Sequence, residues 1–541
     1  MSSSAQERGA VLSGALSARG DGARWGGARS PGTPWEETRW EGAHSEGPHC
    51  DERVRGAPLI ATFAPLAAAA SWMLIGQETS GAAIALAAGG VWAAALMLSL
   101  KVLRLDPLSP AMIYLYLLGL FHLGLAVPWA LGLEASPPPL WLTTKDLNPA
   151  LALVLTATAS YLGGASIAVW LWPRAPGPGP GIRCYNDALC AVGLAVVALG
   201  LLAFSGGIYS LGLERLLRSD YSETYELASH YDPRFFATSM TFVPLGLYLA
   251  VAGARRRFLT WVIGLGVLWG GCVLFLGFRG YALVPAITIF AVLHKRGVRL
   301  PRIAYLAGVL TVLAIIPLVR AARADRLADR GVAAELTITA PLAAVEEMGG
   351  SLRALVHTIE FLENESFRWG GTYWQALRSV VPNVSFAWQG GEYLPLEQLP
   401  PSHWMTLQAA PHTYRAHGGL GFSSIAEPYM NFGVPGVAVY FFLLAAFLVT
   451  AYRGDAAQPA RLALWAVVLG PLLWTVRNDF HGFFRPVLLG IACIAAARLL
   501  ANSLPSTRSC SKAPRLGPTH VAEPKFRRAI EFRTARLNSV R

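Results

Sequence analysis

Arg279, Arg320, Arg323, Arg477 and Arg485 each stand at or near the end of a long apolar run, where a cation is costly to keep out of water. Arg279, in "FLGFRGYALVP", falls between two such runs with no polar loop around it. An arginine facing the centre of a bilayer costs about 2.5–3.5 kcal/mol, so it needs a compensating partner. Rigid, permanently charged guanidinium forks suit a bound pyrophosphate. The bland alternative is that each side chain snorkels to the headgroups, and it weighs most for Arg320 and Arg485.

Glu427, in "GFSSIAEPYMNFGVPGVAVYF" (421–441), is an acid at the mouth of an apolar segment. Pro428 and Gly433 are poor residues for a helix interior, which makes the stretch a helix entrance. Ser424 and Glu427 have the S-x-x-E spacing of a capping box, in which each side chain satisfies a free backbone N–H. The same carboxylate, partly desolvated at a lipid–water boundary, suits a general base. His403, His412 and His417 add further bases or hydrogen-bond donors, and no H-E-x-x-H or Cys/His pattern surrounds them, so no metal is expected. There is no D-x-D, no G-x-x-x-x-G-K and no G-x-S-x-G. A reaction at this face must then use a donor already anchored in the membrane, with protein cations stabilising its leaving group.

The elements that must position these residues are transmembrane helices. Of 541 residues, 54% are hydrophobic and only 14% charged, with a mean hydropathy of +0.42, too few charges to cover a soluble globule. Apolar stretches of about 20 residues, each able to cross about 30 Å of hydrocarbon, recur along the chain. They predict an all-α polytopic protein with about twelve spans: 58–76, 81–100, 109–132, 149–172, 187–206, 235–253, 258–277, 280–294, 303–319, 428–450, 461–476 and 481–500. Alternate short connections carry 13 and 7 Lys/Arg, which places both termini in the cytoplasm and the large loop 320–427 outside. Within that loop, 326–364 has helical apolar spacing, while Pro, Gly, Trp388, Tyr393, Trp404 and Tyr414 mark a functional segment. Residues 1–56 read as a disordered cytoplasmic tail without a signal sequence, 57–501 as the membrane domain and 502–541 as a basic cytoplasmic tail. That last tail, with nine Lys/Arg and two Glu, fits anionic headgroups better than nucleic acid. Six cysteines with no C-x-x-C pair argue against disulfides.

"GLGFSSIAEPYMNFGVPGVAVYF" resembles the G-x-S-x-x-A-E-x-Y-x-N-F-G-x-x-G pattern of O-antigen polymerases of the Wzy type, the oligosaccharide repeat-unit polymerases. "GFRGYALVP", "ENESFRWGGTYWQALRSVVPN" and "VRNDFHGFFRP" are similar to further segments of that family, in the same order. The resemblance implies a bacterial inner-membrane enzyme with the α-helical fold of lipid-linked-sugar glycosyltransferases, metal-independent and needing no cofactor. It implies transfer of a growing glycan from one undecaprenyl pyrophosphate carrier to another lipid-linked repeat unit. By position, Arg279 and Arg477 match the family's arginines, Glu427 its acid, and Tyr429, Asn431 and Gly433 complete the long motif. Joined to the reading of the residues above, this gives an expected assignment with Glu427, His412 or His417 taking the acceptor proton, and Arg279, Arg320, Arg323, Arg477, Arg485, Tyr429 and Asn431 binding substrate. Membrane lipids are the other partners expected, and a chain-length regulator is left open. A ligase delivering finished glycan to a lipid A core would use the same chemistry. A lipid-glycan flippase would instead show charged or broken helices near mid-membrane.

Overall fold

A computed structural model describes residues 80–133, 139–172, 185–218, 233–298, 340–363, 365–380, 399–415, 418–453 and 458–503. These are helices and connections, with no strand among the described residues. The long helices are α1 (Gly81–Lys101), α2 (Pro110–Leu123), α3 (Leu147–Leu171), α4 (Asp187–Leu211), α5 (Pro233–Gly253), α6 (Arg256–Phe275) and α7 (Arg279–Lys295). Four shorter ones follow: α8 (Ala340–Met348), α9 (Ser351–Leu362), α10 (Gly371–Arg378) and α11 (Pro401–Ala409). The chain closes with α12 (Ala426–Arg453), α13 (Pro459–Trp474) and α14 (Phe484–Ser503).

Seven of these are long and apolar enough to cross a membrane, namely α1, α3, α4, α5, α6, α12 and α14; α2 and α13 are apolar but shorter. Each expected span that falls on described residues is met by one helix, except 109–132, which divides into α2 and a short helix Ala126–Ala130. The expected spans 58–76 and 303–319, the 1–56 tail, and almost all of the basic C-terminal tail lie outside the described residues. The sequence shows why these helices start where they do. Ser80, Ser109 and Asn186 each accept a backbone N–H three residues on, at the heads of α1, α2 and α4.

Two helix pairs organise the core, α4 with α5 and α3 with α12. On α4 and α5, Gly193 and Gly246 face each other so closely that a Cβ on Gly193 would lie 2.5 Å from the Ala250 nitrogen. Small residues at a contact let membrane helices approach to backbone distance, where dispersion does the work that hydrophobicity cannot do in lipid. α3 is buried along most of its length, and Tyr114 of α2 stacks on its Tyr161 at 5.8 Å.

The helices alternate in direction, so the bundle has two unlike ends. At one end Arg255 pairs with Asp187, Lys295 and Arg453 donate to the carbonyls of Tyr452 and Trp172, and Arg296 donates to the carbonyls of Val251 and Ala254. Asp106 there accepts from Tyr452 Oη at 2.9 Å and lies 2.7 Å from His294 Nε2. The opposite end gathers the heads of α7, α12 and α14 with helices α8 to α11.

Candidate functional site

That second end is built around a break in α12. Gly433 has φ 65° and ψ −154°, a conformation open to glycine almost alone, and Pro435 has no N–H to give to the Asn431 carbonyl four residues back. The freed carbonyls are taken from outside the helix: Arg368 N donates to Met430 O and Trp369 N to Asn431 O, each at 3.0 Å. To reach them the chain turns through two left-handed residues, Trp369 (φ 47°) and Gly370 (φ 86°). Asn431 then completes the joint. Its Oδ1 accepts from Gly370 N at 2.9 Å and Thr372 N at 3.5 Å, while its Nδ2 donates to Thr372 Oγ1 at 2.7 Å and Glu427 O at 2.8 Å. Asn431 thus caps α10 and docks it on α12.

Glu427 lies one turn earlier and is only 2% exposed. Its Oε1 accepts from Thr372 Oγ1 at 2.9 Å and its Oε2 from Phe480 N at 2.7 Å. One carboxylate therefore ties α12 to α10 and to the short 3-10 turn Phe480–Gly482 between α13 and α14. This corrects the expected capping box. Ser423, not Ser424, caps α12, its Oγ accepting from Ile425 N at 3.1 Å and Ala426 N at 3.3 Å, while Ser424 N donates to Val476 O. The carboxylate turns away from the helix head because two donors outside it, a hydroxyl and an amide, are better placed. Ser423 is held in turn by His122 of α2, whose Nδ1 donates to Leu118 O at 2.9 Å, leaving Nε2 of the neutral ring to accept from the Ser423 hydroxyl at 2.8 Å.

Tyr373, next to Thr372, packs edge-on against Phe480 at 5.6 Å. Burial, with the nearby Glu427 charge, pushes its hydroxyl well above the usual tyrosine range, so the group stays protonated. Trp369 and Trp374 are 77% and 61% exposed, and Phe367 rests edge-on against Tyr429 at 6.1 Å. Trp404, expected among the loop aromatics of a functional cleft, is instead fully buried against Phe361 with the Arg368 guanidinium 5.0 Å over its ring.

The arginines reach the same end by different routes. Arg279 opens α7 and donates to Glu347 Oε1 of α8 at 2.6 Å, which is the compensating partner its position demanded. Arg477 follows α13, exposed, with its guanidinium 5.9 Å from the Phe121 ring and its carbonyl accepting Phe422 N at 2.7 Å. α7 and α13 meet here, Tyr281 lying 4.5 Å from Trp474. α8 packs beside the end of α2 that carries Phe121, so Glu347 and Arg477 share one neighbourhood. Arg485 opens α14 and donates to Ser379 O at 2.5 Å. His412 is exposed on the short helix Pro411–Arg415. Arg320, Arg323 and His417 lie outside the described residues.

Sequence reasoning missed several partners: Thr372, Glu347, Ser423 and above all Asp479, which is 6% exposed. Asp479 Oδ1 accepts from His481 N at 3.2 Å and its Oδ2 from Ser402 N at 2.9 Å, joining the 3-10 turn to α11. The D-F pair after Arg477 was the available signal, read there as family pattern and not as a cap. Among the described residues no group of three or more His, Cys, Asp or Glu side chains is placed to hold a metal ion.

A family model described as O-antigen polysaccharide polymerase Wzy matches residues 91–504. No curated protein and no solved structure matches the chain.

Proposed function

The chain belongs to the O-antigen polysaccharide polymerase Wzy family, whose members polymerise repeat units, and on that premise we propose that it joins lipid-linked oligosaccharide repeat units at the outer face of the bacterial inner membrane. The growing glycan leaves one undecaprenyl pyrophosphate carrier for a sugar hydroxyl of another lipid-linked unit. The observation that carries this reading is the gathering of Arg279, Arg477 and Arg485 at one end of a helical bundle, around a joint locked by Glu427 and Asn431. A pyrophosphate leaving group needs cations where its charge develops, and fixed guanidinium groups supply them without reorganisation. The donor is activated by the pyrophosphate already esterified to its anomeric carbon, a good leaving group, so no nucleotide or metal need take part. Trp369 and Trp374 offer exposed aromatic faces beside the joint, which suit stacking on sugar rings.

Glu427 has both oxygens occupied and almost no exposure, and this favours a positioning role over that of the base. Deleting the gene and separating the envelope glycan by size tests the activity. A single repeat unit on the core is expected; an unmodified core with a lipid-linked pool would indicate a ligase, and an unchanged ladder would exclude both.

The reading also requires the arginine end to face outwards and both termini to face the cytoplasm. Arg255, Lys295, Arg296 and Arg453, all at the other end, support that orientation. In a chain stripped of its six cysteines, Gln408→Cys on α11 should react with an impermeant thiol reagent in intact spheroplasts. Labelling only after permeabilisation would invert the topology.

A further inference from the structure

The short turn between α13 and α14 carries a group that the family match leaves without a role. His481 sits four residues after Arg477 and four before Arg485, on the 3-10 turn Phe480–Gly482. The backbone of that turn is pinned from both sides: Phe480 N donates to Glu427 Oε2 at 2.7 Å and His481 N to Asp479 Oδ1 at 3.2 Å. His481 Nδ1 is buried with no hydrogen-bond partner among the described residues, and the residue as a whole is partly exposed. A buried polar atom without a partner calls for an explanation, and a catalytic role is one that fits a histidine beside arginines.

A second imidazole is brought alongside by the same carboxylate. Asp479 Oδ2 accepts from Ser402 N at 2.9 Å, which sets the head of α11 and with it His403, and His403 rests edge-on against Tyr414 at 6.0 Å. His481 lies within electrostatic range of His403, Asp479 and Arg485. Glu427 of α12 and Tyr373 of α10 reach the turn through Phe480. One buried aspartate thus ties the backbone beside His403 to that of His481, with Arg485 also in range of the His481 ring.

We propose that His481 is the proton acceptor of the polymerisation step, with Asp479 as the positioning residue that fixes its turn. The proposal rests on the polymerase reading above. The acceptor hydroxyl oxygen forms the new bond to the anomeric carbon of the donor glycan. The bond from that carbon to the pyrophosphate oxygen breaks, its electron pair leaving with the lipid pyrophosphate. The hydroxyl proton passes to the neutral imidazole, which releases it to water. An imidazole suits this task because its ordinary pKa lies near neutrality, and proton transfer by a placed side chain is commonly worth about a hundredfold to ten-thousandfold in rate. Glu427 is too enclosed to meet a sugar hydroxyl, whereas it holds the amide next to His481 in place.

The test uses membranes containing the full chain and lipid-linked repeat units, with ladder formation measured per unit of membrane protein. His481→Gln and His481→Ala should insert at wild-type levels, because Nδ1 of the ring makes no hydrogen bond within the described residues that would be lost, and each should slow polymerisation about a hundredfold or more. Added free imidazole should restore a substantial part of the rate to His481→Ala and none to His481→Gln, whose side chain fills the space. A near-normal ladder from His481→Gln overturns the proposal, and so does a loss in His481→Ala that imidazole leaves untouched. If the wild-type chain itself makes no ladder from these units, it is the polymerase reading that fails.

Discussion

Glu427→Ala is expected to lose polymer by about a hundredfold while Glu427→Gln keeps most of it, since a misplacement of about 1 Å at a reacting centre can itself cost about a hundredfold. Alanine strips acceptors from both the Thr372 hydroxyl and the Phe480 N–H. Each lost hydrogen bond is worth about 0.5–1.5 kcal/mol, and the part-buried Phe480 amide would be left unsatisfied. Glutamine can turn its carbonyl to Phe480 N and its amide to Thr372 Oγ1, which has a second lone pair to offer beside the one that Asn431 Nδ2 uses. A general base behaves otherwise, because an amide accepts no proton and Gln would then be as damaging as Ala. Polymer yield normalised to membrane protein, together with the thermal midpoint of the detergent-solubilised chain, separates the two. Equal loss from Gln and Ala at unchanged midpoints would restore Glu427 as the base.

The same joint shows what a sequence can and cannot display. The apolar helices were legible because about 20 consecutive apolar residues can do little else in lipid than form a helix, and every expected span on described residues but 109–132 falls on a single one. The break in α12 was half legible. Gly433, read with Pro428 as the mark of a helix entrance, pointed to the place, but not to a break inside the helix or to Arg368 and Trp369 filling the freed carbonyls. Those partners lie some 60 residues away across a loop, and no periodicity connects them. Ser424 had the right spacing for a cap, and Ser423 won because His122 of α2 fixes its hydroxyl. The partner of Arg279 could be argued to exist from desolvation cost alone, yet nothing in "VEEMGG" marks Glu347 as that partner. Local rules thus gave the helices and the residue types, while the assignments made by long-range hydrogen bonds waited for the fold.

Arg477→Lys and Arg279→Lys should each lower polymer yield by tenfold or more without lowering the amount of protein in the membrane. Lysine keeps the charge and the long apolar stem, so helix insertion and any contact with headgroups survive. What it loses is the planar fork that meets two phosphate oxygens at once, and a charge-assisted bond of that kind is worth about 1.5–3 kcal/mol, or roughly ten- to a hundredfold in rate. The two variants should differ in kind. Arg477 is exposed at the end of α13, so its replacement should raise KM for the lipid-linked donor together with a fall in kcat. Arg279 is also the partner of Glu347 at 2.6 Å, and a lysine there can still reach that carboxylate, so α8 should stay docked and the loss should fall mainly on kcat. Normal ladders from both lysine variants would show that the fork has no part in the reaction and that these arginines serve only to hold the ends of α7 and α13 at the membrane boundary.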